Sequence, residues 1–187
     1  MRFALLVLPL ALLAACGGSS EAPPSKPAAP AATTPPPAAP AATSPRAPDA
    51  TKRSAMVEAL KAETGADKRV WLVVSPGNAE TLALASALEG AFRDGGWMPK
   101  TQPLSGMVLK PGPVRILVGE EQEPPQVDTV RKALEAGGLT VETGTGYRAF
   151  YEEKKKENPS WPGIPMTADQ PFIVVIAPQP PATPPAS

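Results

Sequence analysis

Apolar residues come in short, regularly bounded blocks between residues 52 and 176. Over 52–64, Met56, Val57 and Leu60 share one helical face and the pattern stops at Gly65, which predicts a helix. Val70-Trp71-Leu72-Val73-Val74 is an unbroken apolar run of strand length, the signature of a strand buried on both faces. Ser75-Pro76-Gly77-Asn78 reads as a turn, with Asn78 placed to cap the helix that follows. In that helix Leu82, Ala85, Leu88 and Phe92 lie on one face, and Gly95-Gly96 ends it. Residues 97–101 predict a short strand.

The pattern then repeats. Residues 114–118 are a second apolar strand, 119–125 a polar loop, and Val127, Val130 and Leu134 mark a helix that ends at Gly137-Gly138. Residues 139–143 alternate apolar and polar, as an edge strand does. The segments 88–97 and 130–139 align in apolar positions and in their paired glycines. An ancient duplication and two units obeying the same packing rules account for this equally well. A last helix spans 147–157, with Tyr147, Phe150 and Tyr151 clustered ahead of a charged run. Phe172-Ile173-Val174-Val175-Ile176 is apolar at every position, so it is expected inside the sheet.

Alternating strands and helices predict an α/β fold: a single small domain with a mostly parallel sheet flanked by helices. It comprises two strand-helix-strand units plus a final central strand. The expected domain spans 51–178, enough for one compact core.

Outside this domain the composition changes. Residues 17–50 are almost wholly Pro, Ala, Ser and Thr, too poor in large apolar groups to offset the entropy of ordering, so 16–50 reads as a tether. About 35 such residues at roughly 3.1 Å each reach on the order of 110 Å when extended. A second Pro-rich stretch, 179–187, reads as a tail. At the N-terminus Arg2 precedes a short apolar run that reaches small residues at Ala14 and Ala15, the layout of a secretory signal peptide over 1–15. That run is too short to span a bilayer, which takes about 20 apolar residues.

Leu13-Ala14-Ala15-Cys16 resembles the lipobox of bacterial lipoproteins. The resemblance implies cleavage before Cys16, diacylation of its sulfur and, as a rule, acylation of the new N-terminus. Two or more chains make an anchor effectively stable, where one is marginal. The resemblance therefore implies a protein held on a membrane outside the cytoplasm. Gly17 after the cysteine leans towards the periplasmic face of the outer membrane in a two-membrane cell.

Charge and chemistry narrow the function. Eighteen basic and 18 acidic residues balance, so no electrostatic argument points to nucleic acid. With no histidine, the chain lacks the Ser-His-Asp constellation and the commonest metal ligand. Lipidation of Cys16 would consume the only thiol. The expectation is accordingly a non-enzyme with no catalytic residues, no metal and no cofactor.

Three places could still hold a ligand or partner. Strand-end loops are the usual binding positions of open α/β sheets. One such loop carries Asn78 at a helix N-terminus, without the glycine spacing of a phosphate loop. The other carries Glu120 and Glu121, with Glu123 beside them. The third is the aromatic group of Tyr147, Tyr151 and Trp161 with Phe150, whose ring types are favoured at contacts. The expected role is an interaction or assembly module with an envelope protein partner, anchored to the membrane at Cys16. The alternative is a small-ligand-binding or sensory domain that uses the strand-end loops.

Overall fold

The computed structural model describes residues 44–104 and 106–179. Cys16, the signal peptide over 1–15, the first part of the tether and residues 180–187 of the tail lie outside the described residues. Within them, four helices and five strands alternate as the patterning predicts. They are α1 (Ala50–Lys61), β1 (Arg69–Val74), α2 (Ala79–Asp94), β2 (Met98–Pro103), β3 (Val114–Val118), α3 (Pro125–Ala136), β4 (Val141–Gly144), α4 (Tyr147–Glu157) and β5 (Phe172–Ile176). The strands form one sheet in the order β2-β1-β5-β3-β4.

The all-apolar β5 occupies the centre and the alternating β4 an edge. Three of the four pairings are parallel: β1 with β2, β1 with β5, and β3 with β4. The fourth, β3 with β5, is antiparallel, Val114 facing Ile176 and Val118 facing Phe172. The unit β1-α2-β2 therefore runs opposite to β3-α3-β4. A half-turn about an axis through β5 relates the two in topology.

One face of the sheet is covered by α1, α2 and α3. Val70, Leu72 and Val74 of β1, Val114, Ile116 and Val118 of β3, and Phe172, Val174 and Ile176 of β5 all point into this core, as the two-residue strand period requires. Phe92 and Leu134 meet them from α2 and α3, and Met56 and Leu60 from α1. The Trp97 ring packs edge-on to Phe92, and its indole N–H donates to the Leu60 carbonyl at 3.0 Å.

Both unit helices end through the same hydrogen bonds. Gly95, Gly96 and Trp97 donate to Ala91, Arg93 and Phe92, and Gly137, Gly138 and Leu139 donate to Ala133, Glu135 and Leu134. The second glycine of each pair sits at φ +81°, which favours a residue without a Cβ. The paired glycines are thus one structural device used twice.

The folded part begins earlier than the composition suggests. Residues 44–50 were expected in the tether, yet Ser44 is buried, Asp49 caps α1, and Arg46 is fixed from three sides. Its Nε and Nη2 each donate to a Glu80 oxygen at 2.9 Å, Nη2 also to the Ala177 carbonyl at 2.7 Å, and Nη1 to the Gly112 carbonyl at 3.4 Å. Specific pairing, not apolar content, holds this segment, so a compositional boundary at residue 50 comes seven residues late.

Candidate functional site

The second face of the sheet is covered unevenly. Over β1 and β5, Trp71, Val73, Ile173 and Val175 pack under Leu104 and Ile164. Over β3 the cover thins: Leu117 is half-buried and Arg115 exposed, and beside it on β4 Glu142 and Gly144 are exposed. An open groove of about 250 Å³ lies there. Val175 and Leu117 line it from the sheet, Met107 and Leu109 from the loop before β3, and Tyr147, Phe150, Trp161 and Ile164 from α4 and the segment after it. Its one charged lining residue, Arg115, is paired with Glu142 at 3.0 Å.

The aromatic side of the groove is built from α4 outward. Tyr147, Phe150 and Tyr151 recur at helical spacing, so their rings share one face. Trp161 folds back against Phe150 (centroids 5.5 Å apart, 85°) and Tyr151 (5.8 Å, 63°), both in the edge-on geometry that ring quadrupoles prefer. Tyr147 is the structural member of the group. Its hydroxyl accepts the Ile164 N–H at 2.9 Å, tying the loop to α4, and burial pushes its pKa above the usual tyrosine value against the effect of that bond. Lys154 and Lys155 extend over the Phe150 and Tyr151 rings at 5.9 and 5.8 Å. The two ammonium groups therefore sit at cation–π range of the rings.

The other two sequence candidates are spent on the fold. The Asn78 side-chain oxygen accepts the Thr81 N–H at 2.9 Å and caps α2. Glu120 pairs with Arg148, and its carbonyl accepts the Gly146 N–H at 2.8 Å. The Glu121 carboxylate lies directly over Gly146, where a Cβ would meet it. These contacts fasten the loop after β3 to the start of α4.

The two loops also cannot share a ligand. Because β3 runs against β5, the loop at Asn78 sits at the carboxyl end of β5, while Glu120 and Glu121 sit at its amino end. Each loop does follow the carboxyl end of its own strand, as the strand-end argument has it, but the antiparallel pairing puts the two at opposite ends of the sheet. Among the described residues, no three His, Cys, Asp or Glu side chains come together as a metal site.

Sequence reasoning missed the loop side of the groove. Met107 and Leu109 lie among glycines and prolines without helical or strand periodicity, so their shared inward turn had no signal. It also missed a polar depression of about 530 Å³ lined by Arg46, Lys52, Gly138, Thr140, Glu142 and Gln179. Its cations are engaged, Arg46 with Glu80 and Lys52 with Asp49 at 3.9 Å. Among the described residues no helix is long and apolar enough to cross a membrane. The chain matches no protein-family model, no curated protein and no solved structure.

Proposed function

We propose that this chain is a bacterial envelope lipoprotein, anchored through acylated Cys16, whose α/β domain is a non-enzymatic interaction module that binds through the groove beside β3. One observation carries the reading. The groove is an open, nearly uncharged apolar surface rimmed by aromatics, with the lining residue Phe150 44 % exposed. Apolar surface gathered in one concave patch is favoured where it is covered on association. The lipobox resemblance supplies the address, and residues 17–43 would hold the domain off the membrane.

The test is crosslinking in intact cells, then detergent extraction and affinity purification of the full chain. A recurrent, near-stoichiometric protein is expected with the parent and is lost with Phe150→Glu. Recovery of nothing above background, or equal recovery with both chains, would sink the reading. The anchor is tested separately: Cys16→Ser should leave the membrane fraction or accumulate as precursor. A variant that fractionates and migrates like the parent would refute it.

A further inference from the structure

We infer that the outer edge of β4 takes up an extended, proline-free segment of another protein as a sixth strand of the sheet. This surface is separate from the groove and goes beyond the reading above.

The sheet has two edges, and only one is closed by its own sequence. On β2 the Met98 N–H donates to the Lys68 carbonyl and the Leu104 N–H to the Val74 carbonyl, both at 2.8 Å, so 98, 100, 102 and 104 face β1. Positions 99, 101 and 103 face outward, and two of them are Pro99 and Pro103. Proline has no N–H to give an incoming strand, so β2 keeps one outward donor, at Thr101. On β4 the Val114 N–H donates to the Thr140 carbonyl at 3.1 Å, and the parallel register turns 140, 142 and 144 toward β3. Val141 and Thr143 therefore turn their N–H and C=O groups outward, and no described residue pairs with them. β4 carries neither proline nor lysine, and its one charged side chain, Glu142, is paired with Arg115. An unblocked row of main-chain donors and acceptors recognises one chemistry, an extended backbone.

What can reach that row names the occupant. The chain's own Pro-rich segments are poor strands: between Pro23 and Pro40 no run longer than four residues lacks proline, and 180–187 holds four prolines. A folded second copy offers only its own four-residue β4 in return. Two such short edges cover far less than the roughly 800 Å² per partner of a stable complex. A segment can instead run on past the amino end of β4, where Thr140 and Glu142 line the polar depression of about 530 Å³. Its backbone would meet Val141 and Thr143, and its continuing polar side chains the depression.

The experiment places p-benzoylphenylalanine at position 142 of the full chain and irradiates intact cells. The expected adduct maps to a proline-free segment of another envelope protein. It falls about tenfold when Thr143→Pro is added, which removes an outward N–H and leaves the bonds to β3, and it persists with Thr101→Pro on the blocked edge. A synthetic peptide copying the mapped segment should then slow amide exchange at 141 and 143 of the purified full chain. The same peptide N-methylated at alternate residues should not. That arm uses the parent chain, so it decides the matter even if Thr143→Pro unfolds. No adduct, adducts only with a second copy, an adduct that folded Thr143→Pro leaves intact, or a peptide indifferent to N-methylation would each overturn the inference.

Discussion

The two faces of the sheet are finished to different degrees, though the same strands make both. On the helix side, alternate residues of β1, β5 and β3 are buried without a gap from Val70 to Val118. On the other side burial is complete over β1 and β5 and fails at β3, where Leu117 is half-buried and Arg115 exposed. The difference lies in what each face is given to cover it. Three helices with continuous apolar stripes can tile a sheet, whereas one helix and two loops rich in Pro and Gly cannot. A face closed by the chain itself provides stability; a face left partly open keeps apolar surface that the chain does not cover.

Substitutions that separate stability from contact would sharpen this comparison. The largest loss is expected from Phe92→Ala or Phe172→Ala, both fully buried on the helix side: about 3–5 kcal/mol by urea unfolding. Leu109→Ala on the open side should cost about 1 kcal/mol or less. Equal losses at the two positions would erase the distinction between the faces.

Next comes Arg46→Ala, which leaves the Glu80 carboxylate four-fifths buried without its main partner, at a cost of about 2 kcal/mol. Burial pushes the Glu80 carboxyl up, but its bonds to Arg46 and Ser44 outweigh that and hold its pKa below the ordinary value of 4.5. The folded state thus binds this proton less readily than the unfolded chain. The stability so gained is fully present above pH 4.5 and fades as pH falls through the lower folded value. In Arg46→Ala the slope contributed by this group below pH 4.5 should flatten, and a parent-like slope would contradict the assignment.

The twin helix ends allow a finer comparison. Gly96→Ala and Gly138→Ala each force a Cβ onto a left-handed backbone, at about 1 kcal/mol. Gly138→Ala should cost more, because that Cβ would lie 3.1 Å from the Lys52 side chain while at Gly96 the space is open. Thermal unfolding of the two variants side by side gives the order. The smallest change in stability, within about 0.5 kcal/mol, is expected for Val108→Asp, at an exposed position.

Much of the fold was legible because burial and termination leave local marks. The unbroken apolar run at Phe172–Ile176 announced a central strand, the alternation at 139–143 an edge, and the paired glycines two helix ends. Strand direction was not legible. Val114 and Ile116 look the same whether β5 runs with β3 or against it, and that one sign decides whether Asn78 and Glu121 can meet. Long-range pairing was equally silent: Arg46 lies in a Pro/Ala stretch, and the carbonyl of Ala177 that it grips is 131 residues away. Of the groove, only the aromatic side had a period to read. The loop carrying Met107 and Leu109 has none, and only its packing against β3 makes it a wall.

Arg46 also determines how the domain bears a load. A pull on the chain from its amino-terminal side reaches Arg46 before it reaches α1, and there it meets bonds to α2 through Glu80, to the end of β5 through Ala177 and to the approach to β3 through Gly112. Tension entering from that side would be shared among three separate parts of the fold and would have to shear them together, so the first helix would not unzip turn by turn.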